Sequence, residues 1–334
     1  MKSFGFQWHL TDRCNLRCTH CYQDTFSSAG QRPLEEIRFM ADRIFSNMEN
    51  TIVTVNLTGG EPLLLPYLFE IVEYLDNFSC VEEINIITNG TIATQETISD
   101  LGSRPQIKTL KISLESCERN INDAIRGRGN FERLSSNLEL FKKSGKETVL
   151  MMTLAKFNIE SIKKTVEWAR KRGLNGIIFE RFVPFGRGRE LISQVLDSVT
   201  WRQAVHAIVC AAGLNFSDRE LAPYRAFWLR LDSDEDDRLK GALCNLGDES
   251  MALMPDGTVY PCRRLPVPVG NILKDDLSTI RNRLKKMHPR QLMLRIKGDK
   301  LCRCDEEECT GCRALAYALY GDYLADDNQC ILSN

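Results

Sequence analysis

No apolar run in this 334-residue chain is long enough to cross a membrane as a helix. Neither sign of charge dominates, because 44 basic residues face 45 acidic ones for a net charge of -1. The first absence argues against a membrane protein. The second removes the basic excess on which nonspecific phosphate binding depends, so nucleic acid is not an expected partner. The strand-like N-terminus reaches its first cysteine at residue 14 and leaves no room for a signal peptide, which places the protein in the cytoplasm. Low-complexity stretches and internal repeats are missing too. Apolar residues make up 43% of the chain, enough for the core of one large domain plus a smaller one.

Cysteine is what the chain has in quantity, with thirteen residues. An odd number in a reducing compartment is not a disulfide framework. Ten of them fall in two spaced groups, a distribution that suits metal. Cys80, Cys117 and Cys210 stand apart in apolar or helix-like surroundings and read as buried thiols packed as small hydrophobes.

The first group is Cys14, Cys18 and Cys21, spaced C-x3-C-x2-C. It follows Phe4, Phe6, Trp8 and Leu10, whose alternation with polar residues marks a strand with one buried face. A [4Fe-4S] cluster normally takes four cysteines, so three leave one iron open to activate a small molecule. Tetrahedral zinc is the alternative for such spacing. About forty residues on, the strand-like Ile52 to Leu57 runs into Thr58-Gly59-Gly60-Glu61-Pro62. The glycine pair lets a backbone approach a ligand closely, and the Glu61 carboxylate can receive an ammonium group.

These two motifs, Cys14, Cys18, Cys21 with Tyr22 and Gly59-Gly60-Glu61-Pro62, resemble those of the radical S-adenosylmethionine (SAM) superfamily. The resemblance implies a cluster ligated by Cys14, Cys18 and Cys21, whose open iron chelates SAM and cleaves it to methionine and a 5'-deoxyadenosyl radical. It places Tyr22 by the adenine and Gly59, Gly60 and Glu61 by the methionyl amine.

From residue 4 to about 182, strand-like and helix-like segments alternate as βαβ units do. Strands are expected at Phe4 to Leu10, Ile52 to Leu57, Ile84 to Thr88, Thr109 to Leu114, Thr148 to Leu154 and Ile177 to Val183. Helices are expected near 34–49, 64–77, 94–101, 131–144 and 158–172. The fold class is α/β, and six such units match the superfamily's partial (β/α)6 barrel, with chemistry at the C-terminal strand ends. Asn89 follows strand three and reads either as a site residue or as a turn pair with Gly90. Ser113 at the end of strand four and Arg126 match positions that contact SAM in the family; otherwise they are a strand-end hydroxyl and a surface charge. Arg181, Arg187 and Arg189 leave strand six toward the barrel mouth, where an anion can meet them, although a plain exit loop fits as well. Residues 191–240 read as a helical bridge between a barrel at 1–190 and a cysteine-rich domain at 241–334.

In that last segment Met251 to Met254, Pro255-Asp256-Gly257 and Thr258 to Tyr260 form a hairpin that brings Cys244 and Cys262 together. Two zinc sites would need eight thiols, and the segment offers seven. It resembles the SPASM module of radical SAM enzymes that modify peptides. That resemblance implies one or two auxiliary [4Fe-4S] clusters, the first on Cys244, Cys262 and Cys312, the second on Cys302, Cys304, Cys309 and Cys330. The Cys302-x1-Cys304-x4-Cys309 spacing is shorter than the family's.

Auxiliary clusters suit reactions that end by losing an electron. The expected activity is therefore a peptide maturase that oxidises or crosslinks a ribosomally made peptide, served by an electron donor such as flavodoxin or ferredoxin. The alternative is a small-molecule oxidase of a haem-type tetrapyrrole pathway, acting on an anionic substrate. A noncatalytic electron carrier does not need the SAM motifs. Sulfatase-maturing relatives carry an aspartate base where this chain has Arg263, which counts against that activity. No residue is assigned as catalytic acid or base.

Overall fold

The structure is a computed structural model that describes residues 2–48, 50–233, 238–247, 249–288, 291–292 and 309–332. Six strands, β1 (Lys2–His9), β2 (Thr51–Thr58), β3 (Val81–Thr88), β4 (Ile107–Ser113), β5 (Glu147–Leu154) and β6 (Gly176–Arg181), pair in parallel in chain order. Parallel neighbours need crossovers, and helices supply them. These are α1 (Leu34–Phe45), α2 (Leu68–Leu75), α3 (Gln95–Ser103), α4 (Arg119–Arg126), α5 (Asn130–Lys143) and α6 (Ile162–Lys171). All six expected strands are present. The short helix α4 is an addition; Ile121, Ala124 and Ile125 do recur at helical spacing, but over only two turns.

Strand alternation sorts the side chains between two faces. On β1, Phe4, Phe6 and Trp8 are almost wholly buried under the helices, and Phe6 meets Phe45 of α1 edge to face at 5.4 Å. Gln7 of β1, Asn56 of β2, Lys111 of β4, Met151 of β5 and Ile178 of β6 point the other way and line one cavity of about 520 Å³. A sheet whose separated strands share a cavity is curled, as a partial barrel requires.

The bridge is not wholly helical. After α7 (Ser198–Ala211) and α8 (Asp218–Leu221) come β7 (Ala226–Arg230) and β8 (Leu239–Ala242), antiparallel strands that extend the sheet beyond β6. Phe227 and Leu229 are buried while Ala226, Trp228 and Arg230 are half-exposed, so β7 obeys the two-residue period. Cys210 on α7 is exposed, contrary to expectation, because the helix buries Trp201, Ala204, Val205, Ile208 and Val209 and turns residue 210 outward. Cys80 is buried and Cys117 half-buried.

At the other edge, β9 (Ser250–Leu253) pairs in parallel with β1 and leads through a turn with Gly257 at φ 83° into β10 (Thr258–Tyr260), then β11 (Gly270–Asn271). The cysteine-rich segment is thereby welded to the barrel sheet. Helices α9 (Leu277–Lys285) and α10 (Arg313–Tyr320) follow. A buried ionic knot secures the C-terminal segment. Asp327 Oδ2 accepts from Arg181 Nη1 of β6 at 2.8 Å, Arg225 Nη1 at 3.3 Å and the Cys312 amide at 2.8 Å. Burial alone would raise the Asp327 carboxyl, but Arg181 and Arg225 hold it below the usual aspartate range.

Replacing Asp327 with Asn leaves both buried guanidinium groups without their counter-charge. The expected loss is about 3–5 kcal/mol of stability, read from denaturant midpoints of wild type and D327N. A shift near zero contradicts the role assigned to the knot.

Candidate active site

The three cysteines of the first group occupy the loop between β1 and α1, and N–H donors from several elements point at their sulfurs. Leu16 N and Asn89 Nδ2 approach Cys14 Sγ at 3.4 and 3.9 Å. Gln23 N approaches Cys21 Sγ at 3.4 Å, and Arg126 Nη1 approaches Cys18 Sγ at 3.9 Å. Donors aimed at sulfur stabilise thiolate charge and tune a bound cluster. Burial pushes the Cys18 thiol up to about 11 against the pull of Arg126, and it also raises Cys14 and Cys21. Cluster assembly therefore displaces protons from these sulfurs. Three thiols, each with a donor, fit a three-cysteine [4Fe-4S] site.

Gly59 and Gly60 serve a purpose the motif alone does not reveal. A Cβ on Gly60 would stand 2.2 Å from Arg13 O, and one on Gly59 2.3 Å from Thr11 O. Gly60 N donates to Thr11 O at 2.6 Å and Glu61 N to Arg13 O at 2.8 Å. The close approach is thus between the β2 loop and the cluster loop, backbone on backbone. Both glycines still line the cavity.

Glu61 does not line it. Its carboxylate is wholly buried and accepts from Thr88 Oγ1 at 2.7 Å, Asn89 N at 2.7 Å and Leu63 N at 3.1 Å. Burial raises it to about 7 despite these donors. In this structure the carboxylate joins the ends of β2 and β3. Asn89 is more than a turn residue, because its Nδ2 also donates to Asn15 Oδ1 at 2.8 Å inside the cluster loop.

Arg126, at the end of α4, is buried rather than a surface charge. Besides facing Cys18 it pairs with Glu115 Oε1 at 2.5 Å, and His20 Nε2 reaches the same oxygen at 3.0 Å. Thr153 N of β5 donates to Glu115 Oε2 at 2.9 Å. Burial would raise the Glu115 carboxyl, yet His20 and Arg126 bring it down to about 2. Sequence reasoning missed Glu115 and His20 as supports of the site. The available signals were a carboxylate just past a strand end and a histidine between two ligands.

Ser113, Tyr22, Asn89 and Arg126 line the cavity together with Cys14, Cys18 and Cys21. Tyr22 lies under the Arg263 guanidinium, 4.1 Å away, and meets the His9 ring edge to face at 5.7 Å. Arg187 and Arg189 are exposed and do not line the cavity, whereas the Gly188 amide donates to Cys21 O at 3.0 Å. The exit loop of β6 braces the cluster loop through its backbone.

In the second cysteine group, Cys312 and Cys262 lie within electrostatic reach of Cys244, and all three pack with Phe182, Leu246 and Leu265. Cys262 also lines the main cavity. Arg225 Nη2 donates to Cys309 Sγ at 3.0 Å and sits within reach of Cys312 and Cys244. Cys330 N donates to Asp327 O at 3.1 Å. The expected ligands Cys302 and Cys304 lie outside the described residues. Thiols and buried cations of this sort suit iron-sulfur ligation.

The radical SAM superfamily model matches residues 8–169, and that of the SPASM iron-sulfur cluster-binding domain matches residues 244–313. An AdoMet-dependent heme synthase of Methanosarcina barkeri is 29% identical, across 97% of this chain and 95% of its own. The antilisterial bacteriocin subtilosin biosynthesis protein AlbA of Bacillus subtilis is 28% identical, across 82% of this chain and 58% of its own. The solved structure of native anSMEcpe with bound AdoMet shares the fold, with a TM-score of 0.73, 17% identity, and coverage of 98% of this chain and 94% of that one.

Glu115→Gln removes the counter-charge of Arg126 while keeping the side chain's shape. We expect a loss of about 3–5 kcal/mol in urea unfolding at neutral pH. The pH dependence has a definite sign. The native carboxyl titrates near 2 and the ordinary glutamate value is 4.5, so this stabilisation is complete above 4.5 and lost as pH falls toward 2. E115Q should lack that part of the acid slope, and an unchanged slope contradicts the assignment.

Proposed function

Since the chain belongs to the radical SAM superfamily and carries a SPASM iron-sulfur domain, we propose that it oxidatively modifies or crosslinks a ribosomally made peptide. When bound, the [4Fe-4S] cluster and SAM supply a 5'-deoxyadenosyl radical that takes a substrate hydrogen atom, and one or two auxiliary clusters offer an acceptor for the electron left behind. The residues of this chain hold, orient and shield. Cys14, Cys18 and Cys21 are the thiolates for the first cluster, with Arg126 and Asn89 as donors to their sulfurs. The backbone at Gly59 and Gly60 borders the space for the methionyl amine, Tyr22 the space for the adenine, and Ser113 with Arg126 the space for SAM's other polar groups. Cys244, Cys262 and Cys312 are assigned to one auxiliary cluster, and Cys309 and Cys330 with Cys302 and Cys304 to a second.

One observation carries the reading: Cys14, Cys18 and Cys21 line the same cavity as Cys262 of the second group. A substrate in that cavity borders both the site where its hydrogen is taken and the domain that removes its electron. The cytoplasm, which keeps thiols reduced, suits both, and flavodoxin or ferredoxin is the fitting reductant there. Arg263 argues against sulfatase maturation, because its Nε donates to His9 Nδ1 at 3.3 Å and a guanidinium cannot serve as a base. The small-molecule alternative draws its support from the likeness to the heme synthase over nearly the whole chain.

The test uses protein reconstituted without oxygen, with SAM, a reductant and short peptides encoded near its gene. The proposal expects 5'-deoxyadenosine formed in step with a peptide product lacking two hydrogen atoms. Product formation from a tetrapyrrole acid, with every peptide inert, overturns it in favour of the alternative.

A further inference from the structure

The cavity is unevenly charged. Among the described residues, Lys111, Arg126, Arg181, Arg263 and Arg264 line it, against the single carboxylate of Glu180. Three of these cations have acidic partners: Arg126 pairs with Glu115, Arg181 with Asp327 at 2.8 Å, and Arg264 with Glu180 at 3.4 Å. Arg263 is held by His9 and the Tyr22 ring. Lys111 is different. Among the described residues its Nζ donates only to the neutral amide oxygen of Asn56, at 2.7 Å, and forms no ion pair within 4 Å. An ammonium has three donors, so two remain for something in the cavity.

Its surroundings define the ligand. In register, Ile87 of β3 and Val149 of β5 flank Lys111, and Met151, Ile178 and Trp228 line the same cavity. Apolar side chains around an ammonium that no carboxylate pairs select a molecule with an apolar body and an opposite charge. Lys111 also lies two residues before Ser113 on β4, so their side chains share the inner face about 7 Å apart. A substrate held by Lys111 would therefore extend past Ser113 within the cavity that Cys14, Cys18 and Cys21 also line. Burial lowers the Lys111 amine, with Glu180, Glu83 and Glu147 opposing the shift, so an arriving anion would further favour its charged form.

We infer that Lys111 anchors a carboxylate of the substrate, attached to an apolar or aromatic body, inside the barrel. This rests on the proposed function and narrows it to acids. Two sources share the chemistry, the C-terminal carboxylate of a peptide and the propionate of a tetrapyrrole, and the test separates them.

Holoenzyme reconstituted without oxygen and loaded with SAM is titrated with two pairs of probes. One pair is a short peptide ending in phenylalanine as free acid and as amide, and the other is a porphyrin with propionate side chains and its methyl ester. The anchor predicts that in one pair the acid binds about tenfold or more tightly than its neutral partner. Lys111→Gln, which can still hydrogen-bond Asn56, should abolish that preference, and Lys111→Arg should retain it. The pair that discriminates identifies the source. No preference for acid in either pair, or a preference that survives in K111Q, overturns the anchor. Reductive SAM cleavage, measured on the same preparations, keeps the two readings apart. Cleavage without acid preference refutes the anchor alone, whereas acid preference without cleavage refutes the radical chemistry and leaves the anchor standing.

Discussion

The buried carboxylate of Glu115 is the point on which the site depends. It sits just past β4, takes an amide from β5, and draws in His20 of the cluster loop and Arg126 of α4. Arg126 then stands between a carboxylate and the sulfur of Cys18. A charge buried this deeply is tolerable only when fully partnered. Four separate segments are therefore fixed relative to one another wherever this pair is intact. The backbone contact of Gly59 and Gly60 with Thr11 and Arg13 does the same from the other side, without charge.

The cysteine-rich segment enters the site through the sheet. Pairing of β9 with β1 places Cys262 at the cavity wall, and Asp327 ties the C-terminal segment to β6 and to Arg225 beside Cys309. Two groups of thiols separated by more than two hundred residues of sequence thus border one space. Because that space is walled by the inward faces of the strands, its chemistry is set by the side chains they turn inward, and among the described residues Lys111 is a cation there that no carboxylate pairs.

Much of this was legible in the sequence because the signals are local. Alternation in Phe4, Phe6, Trp8 and Leu10, the spacing of Cys14, Cys18 and Cys21, and the Asp256-Gly257 turn each fall within a dozen residues. What escaped depends on distant partners. Nothing near Glu61 says that Thr88 and Asn89 will occupy its carboxylate, and nothing near Glu115 announces His20, 95 positions earlier. Strands β7 and β8 were hidden because an edge hairpin carries only a short apolar alternation. Lys111 carried no signal of its own in the sequence, since the period of two assigns faces without saying which one turns inward.

The most direct test of the account is electron paramagnetic resonance with iron analysis on oxygen-free reconstituted protein, comparing wild type with Cys14→Ala/Cys18→Ala/Cys21→Ala, with and without SAM. The account predicts that the variant loses about four irons and one reduced-cluster signal, that this signal is the one SAM perturbs, and that the auxiliary signals persist. A variant that keeps its full iron content and a SAM-sensitive signal, or protein that takes up zinc in place of iron, would contradict it.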